Sequence, residues 1–196
     1  MSKPDLRVCF LGDSYVAGYG DPTGRGWPGR VLESAWAEGA DLTLYNLGVR
    51  RETGPEVAAR IEEARPRFKH GDRAAVAVAF GANDIDLNVS TDETLRALAT
   101  IIRFAGENGW AVFVVSPPIF LDEPAFDAAA AALTAAMAGV CSRWKVPFLN
   151  LREAVPDWSA WWEEASAGDG SHPSGAYALI ADAFTAWPAW RSWLGH

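Results

Sequence analysis
Short, uninterrupted apolar runs alternate with longer amphipathic ones along the whole chain. Arg7–Leu11 reads as a strand, and its run Val8–Leu11, like Ala74–Phe80 and Ala111–Ser116, lacks polar alternation, as expected of strands buried on both faces of a parallel sheet. Leu42–Leu47 and Pro147–Leu151 read as two further strands. Between them the apolar spacing changes to that of helices. Trp27–Glu38 places Val31, Leu32, Ala35 and Trp36 on one face, and Pro55–Phe68 places Val57, Ile61 and Ala64 together behind a proline suited to a first turn. Thr91–Glu107 is stopped by Asn108-Gly109, Pro124–Trp144 is rich in alanine, and Gly175–Trp187 is the last helix predicted. The alanine run Ala128–Ala132 predicts close packing of its helix against a neighbour. Strands that alternate with helices imply βαβ units, right-handed crossovers and a parallel sheet covered on both faces.

The length of 196 residues suits one domain with a sizeable core, and 49% hydrophobic with 21% charged residues is ordinary for a globular chain. The net charge of −8 disfavours nucleic acid as a partner. None of the apolar runs approaches the length that a bilayer span needs. The start, MSKPDLRVCFLGDS, holds an apolar core of only about four residues, too short for a signal peptide, and this predicts a cytoplasmic protein. Cys9 and Cys141 lie in apolar segments without metal-ligand spacing and read as buried free thiols.

In an open α/β sheet the ligand crevice lies outside the carboxyl ends of the strands, so the residues that follow each strand carry the chemistry. They are Gly12-Asp13-Ser14, Asn46-Leu47-Gly48, Gly81-Ala82-Asn83-Asp84 and Ser116-Pro117-Pro118, with Asp169-Gly170-Ser171-His172 ahead of the last predicted helix. A hydroxyl, a carboxamide, an imidazole and a carboxylate on one rim are the inventory of acyl transfer. A serine hydroxyl needs a base to accept its proton, and histidine is suited to that work near neutral pH. Of the three histidines, only His172 has a carboxylate beside it on a short loop. Asp169 can curl back to Nδ1 and leave Nε2 facing Ser14. Backbone N–H groups of Ser14 and Gly48, with the amide of Asn83, are the candidate oxyanion donors. Each feature has a plainer reading when taken singly. Gly-Asp-Ser is a turn, Asn83-Asp84 an Asx turn, and Asp169 and Ser171 are caps for the final helix.

Together these blocks resemble the SGNH, or GDSL-type, hydrolase family: GDS at 12–14, NLG at 46–48, GAND at 81–84 and DGSH at 169–172, in the family's order over nearly the whole chain. The resemblance implies a flavodoxin-like, three-layer α/β/α domain with a five-stranded parallel sheet in the order 2-1-3-4-5. It implies Ser14 as nucleophile, His172 as base, Asp169 as orienter, and oxyanion donors from Ser14, Gly48 and Asn83. It also implies a hydrolase of carboxylic esters or thioesters of small or medium acyl groups, without cofactor or metal. A carbohydrate O-acetyl esterase and a non-catalytic binding module on the same fold are the competing readings.

Two departures stand out. Tyr15 replaces the usual leucine after the serine, and GVRRET puts Arg50 and Arg51 where the family's second block usually has a further glycine. Tyr15, Arg50 and Arg51 are therefore candidate rim residues. The arginines either grip a substrate carboxylate or phosphate or pair with Glu52 or Glu56 at the surface. GRGWPG at 24–29 matches a dinucleotide fingerprint in letters only, because it follows no strand directly and Trp27-Pro28 blocks the approach. Asp169 and His172 lack a third partner for zinc. Trp158, Trp161 and Trp162 suit core packing, a sugar platform or an acyl pocket, and Trp187, Trp190 and Trp193 suit a subunit contact in a homo-oligomer.

Overall fold
A computed structural model describes residues 3–196. The chain runs β1 (Leu6–Gly12), α1 (Ser14–Ala17), α2 (Gly26–Ala37), β2 (Leu42–Gly48), α3 (Gly54–Ala59), a 3₁₀ segment (Ile61–Phe68) and β3 (Arg73–Ala79). It continues through α4 (Ala82–Asp86), α5 (Thr91–Glu107), β4 (Ala111–Val115), α6 (Pro124–Trp144), β5 (Phe148–Leu149), α7 (Leu151–Ala154), α8 (Ser159–Ala167), α9 (Tyr177–Ala186) and α10 (Pro188–Leu194). The five strands form one parallel sheet in the order β2-β1-β3-β4-β5.

The strand period of two sorts the core into two halves. Leu6, Val8 and Phe10 of β1, with Ala75, Ala77, Phe113 and Val115, pack beneath α2, α8, α9 and α10. Cys9 and Leu11, with Val76, Val78, Val112 and Val114, pack beneath α3, the 3₁₀ segment, α5 and α6. Both cysteines are free and buried, and desolvation pushes both thiols up to about 12. Two helices start where side chains satisfy their first N–H groups: Ser90 with Glu93 closes a capping box on α5, and Thr53 with Glu56 closes one on α3.

Several expected elements differ in detail. The helix expected over Pro55–Phe68 changes at Arg60 into a 3₁₀ segment. Pro66 has no N–H to return to an earlier carbonyl, yet Ile61, Ala64 and Phe68 still reach the core. The fifth strand is two residues long because Asn150 accepts the Arg152 N–H at 3.1 Å and turns Leu151 into α7. Trp36 is 57% exposed rather than on the buried face of α2. In the alanine run of α6 only Ala130 is buried, so that stretch mostly faces outward.

Helix α6 is also, by length and composition, long and apolar enough to cross a membrane, contrary to the sequence expectation. Its alanines supply that character, and its Leu133, Met137, Val140 and Cys141 pack into the core of this domain. Nor is the helix after His172 the last one. Chain beyond it folds back as α10, where Trp190 is fully buried and Trp187 and Trp193 pack edge-on against Phe113. Trp190 thus belongs to the domain's own core, while Trp187 and Trp193 are half-buried at its edge.

Two glycines hold the top of the sheet together. The register sets Gly12 opposite Gly48 on one side and Ala79 on the other. A β-carbon on Gly12 would collide with the Ala79 carbonyl, and one on Gly48 with the backbone of Val16 and Ala17. Close approach of α1 to β2 is thus possible only without a side chain at 48. Gly48→Ala is expected to destabilise the domain by more than about 2 kcal/mol, because backbone rather than a mobile side chain must yield. A thermal or urea unfolding midpoint within error of the wild type would contradict this.

Candidate active site
Parallel pairing brings the carboxyl ends of β1, β2 and β3 to one rim, and the first residue past β1 sets the site. Asp13 caps α1 by accepting the Tyr15 N–H at 2.9 Å, which lifts Ser14 to the helix start with its hydroxyl toward the rim. The Ser14 hydroxyl meets His172 Nε2 at 2.8 Å, and His172 Nδ1 meets Asp169 Oδ2 at 2.8 Å. With the carboxylate accepting at Nδ1, the other ring nitrogen is left to accept the serine proton. Burial pushes the Asp169 carboxyl up, but bonds from the His172 N–H and ring and from the Ser171 N–H outweigh it and hold the group below its ordinary value. Asp169 and Ser171 therefore shape the histidine loop and do not cap the following helix, which begins only at Tyr177.

The imidazole is held by Tyr15 and by groups that the sequence did not single out, Tyr19, Tyr177 and Glu164. Its ring lies tilted 5.2 Å from Tyr15 and edge-on 5.0 Å from Tyr19. The Tyr177 hydroxyl, from α9, donates to the Tyr19 carbonyl at 2.8 Å and ties that contact to the core. Glu164 gathers the far end of the loop. One of its oxygens accepts from the N–H groups of Ser174, Gly175 and Ala176 at 2.9, 2.6 and 2.8 Å and from the Ser174 hydroxyl at 3.0 Å. An acidic residue ten positions before a Ser-Gly pair was the only sequence signal for it. Tyr15 is 9% exposed, and its ring both backs the imidazole and borders the cleft that Ser14 faces, as expected of a rim residue.

The oxyanion candidates separate. Ser14 and Asn83 line a cleft of about 340 Å³ together with Arg50, Arg51, Phe120, Phe126, Trp162 and His172. Asn83 spends one amide hydrogen on the Glu52 carbonyl at 3.0 Å and has a second left. Gly48 does not border this cleft, and its N–H is donated to Asn46 Oδ1 at 3.0 Å. Asn46 in turn donates to the Val16 carbonyl at 2.8 Å, so the NLG block joins β2 to α1 and supplies no free donor at position 48. Arg51 faces the cleft instead. Its backbone has φ +69°, a left-handed conformation costing a residue with a β-carbon roughly 1–2 kcal/mol, and its N–H makes no bond within the described residues. Ser14 N–H is likewise unpaired among them. The doublet of arginines hid this position, because glycine is the residue that usually marks such a backbone.

Arg50 and Arg51 make no ion pair with Glu52 or Glu56. Arg60 pairs with Glu52, and Glu56 closes the Thr53 cap. Asp84 is a cross-link rather than a simple loop turn: its carboxylate accepts the Gly54 N–H at 2.9 Å and the Thr94 hydroxyl at 2.7 Å. Trp158 and Trp161 are buried, and Trp162, bonded through its indole N–H to the Ile119 carbonyl at 2.8 Å, reaches the cleft wall. A surface cavity of about 850 Å³ lies at the opposite end of the sheet around Trp110, Trp144 and Trp193 and is remote from this chemistry.

Comparison with known proteins agrees with the geometry. A sequence profile described as the GDSL-like Lipase/Acylhydrolase family matches residues 10–178, a span that takes in all four blocks and both ends of the hydrogen-bond chain. The chain belongs to the GDSL-like lipase/acylhydrolase family. No curated protein matches it in sequence. Among solved structures, a lipase/acylhydrolase from Enterococcus faecalis is 22% identical with a TM-score of 0.76, covering 97% of this chain and 96% of that one. LAE5, an alpha/beta hydrolase from the metagenome of Lake Arreo, Spain, is 20% identical with a TM-score of 0.76, covering 100% and 99%. A catalytic mutant of Axe2, an acetylxylan esterase from Geobacillus stearothermophilus, is 19% identical with a TM-score of 0.76, covering 93% and 94%. These likenesses establish the fold, and the family match establishes a GDSL-type hydrolase.

Within this GDSL-type domain Asp13 carries a further consequence. It is fully enclosed, and desolvation, reinforced by the nearby Asp84 charge, pushes its carboxyl up to about 7. The folded state thus holds this proton more tightly than the unfolded chain, so the group's contribution is complete below about pH 4 and is lost as pH rises to about 7. Asp13→Asn keeps the cap and is expected to flatten that slope, raising stability at pH 8 by up to about 4 kcal/mol. Urea unfolding of both proteins between pH 4 and pH 8 checks it; parallel curves would refute the assignment.

Proposed function
We propose that this GDSL-type hydrolase is a serine esterase that cleaves carboxylic esters of small or medium acyl groups through an acyl-enzyme. The observation that carries this reading is the continuous chain Ser14–His172–Asp169, with both links at 2.8 Å, opening into a cleft of modest volume. Ser14 Oγ attacks the ester carbonyl as Nε2 of His172 takes its proton, and Asp169 stabilises the resulting imidazolium. The carbonyl oxygen becomes an oxyanion and is received by the N–H groups of Ser14 and Arg51 and by the spare amide hydrogen of Asn83. The imidazolium then gives its proton to the leaving alcohol. Water repeats the sequence on the acyl-enzyme, returning the serine and releasing the acid. Phe120, Phe126 and Trp162 offer the acyl group an apolar wall, and the volume favours short chains.

A fluorophosphonate probe is expected to label Ser14 in the wild type and not in Ser14→Ala. Labelling that is equal in the two proteins, with no ester turnover, would favour a binding module on this fold. Asn83→Ala is expected to lower kcat by about 10²–10³-fold with little change in KM, as for loss of one oxyanion donor. Steady-state kinetics on p-nitrophenyl esters of graded acyl length measure this and the chain-length preference together. Acetylated sugars in the same panel test the carbohydrate alternative.

A further inference from the structure
The rim carries two cations whose side chains the ester-cleaving chemistry leaves unused. Arg50 and Arg51 are exposed, border the cleft, and belong to no ion pair among the described residues. The acidic residues beside them in sequence are committed elsewhere. Glu52 is gripped by Arg60 through two bonds of 2.7 and 2.5 Å, and Glu56 accepts the Thr53 N–H and hydroxyl at 2.8 Å each.

The loop that presents them is anchored from below. Arg60 also donates to the Leu47 carbonyl at 3.0 Å, and Asn83 holds the Glu52 carbonyl. Above, the Arg50 guanidinium lies 3.3 Å from the centre of the Tyr19 ring, and that ring meets the His172 imidazole edge-on. The cation thus stands one aromatic ring away from the base. A guanidinium stacked in this way keeps its N–H edge free and its plane fixed, which suits two parallel bonds to a carboxylate or phosphate. Arg51 keeps a β-carbon in a backbone conformation that glycine would hold without strain, which marks its side chain as more than filler.

Other charges share the cleft. Asp169 is bonded to the His172 ring and loop, while Asp86 and Glu123 also face the space and pair with neither arginine. On a chain of net charge −8, cations that form no direct ion pair beside a nucleophile stand against the molecule's general field.

We propose that Arg50 and Arg51 bind an anionic group of the substrate, so that the preferred ester carries a carboxylate or phosphate within reach of the scissile bond. This inference rests on the esterase reading above. Its test uses matched ester pairs on the wild type, Arg50→Gln and Arg51→Gln. Mono-p-nitrophenyl succinate against p-nitrophenyl acetate places the anion on the acyl side. For the alcohol side, 4-carboxyphenyl acetate and 4-acetoxyphenyl phosphate are compared with phenyl acetate.

The expected result is that kcat/KM for at least one anionic ester, relative to its neutral partner, falls about tenfold in Arg50→Gln, mainly through KM. Protection of Ser14 from the fluorophosphonate by the same esters reads binding where turnover is slow. Ratios untouched by both substitutions, or a preference for acetylcholine that Glu123→Gln abolishes, would overturn the inference while leaving a working esterase. Absence of both labelling and turnover would remove the esterase reading and this one with it.

Discussion
The whole arrangement depends on β1 lying between β2 and β3 in parallel, with Gly12 level with Gly48 and Ala79. Three strands then end at one height, and the loops that follow them converge on a single rim. The spacing at that height tolerates no side chain at 12 or 48, because backbone of a neighbouring strand or of α1 fills the place. Ser14 is therefore presented by a packed junction rather than by a flexible loop. Asn46 and the buried Asp13 fasten that junction from either side of the turn. Burying a carboxylate there has a cost in stability near neutral pH, accepted where the helix start must be held.

The second half of the site is delivered from the other end of the chain. His172 stands 158 residues from Ser14, yet the two side chains bond directly. The connection holds because the histidine loop is restrained on three sides. Asp169 folds it from within, Glu164 collects its exit, and Tyr15 and Tyr19 flank the ring. Aromatic packing behind this loop, through Trp161 and Tyr177, ties the restraint to the core. Such support fixes the imidazole against the serine hydroxyl.

Much of this was readable before any coordinates. Uninterrupted apolar runs marked the buried strands, Asn108-Gly109 marked the end of α5, and the GDS and DGSH blocks marked the serine and the histidine that the fold joins. What misled was local resemblance without geometry. Gly48 looked like a donor because of its block, yet its N–H closes on Asn46 two residues away. The left-handed backbone that offers a free N–H to the cleft belongs to Arg51, a residue type that gives no hint of it. Trp190 looked like part of a contact surface, and a chain reversal into α10 that propensity alone does not reveal turned it inward.

By itself, the sequence determined the period of each segment, and hence the class of fold, and it set out the chemical inventory of the rim. These follow from short-range rules, since side-chain spacing dictates which faces must be buried and turn residues dictate where strands stop. Only the tertiary structure decided which N–H groups remain unpaired, which carboxylates are already claimed by Arg60 and Thr53, and which aromatic rings stand beside the imidazole. Those outcomes depend on strand register and on contacts between residues far apart in the chain, and no local pattern encodes the distance between them.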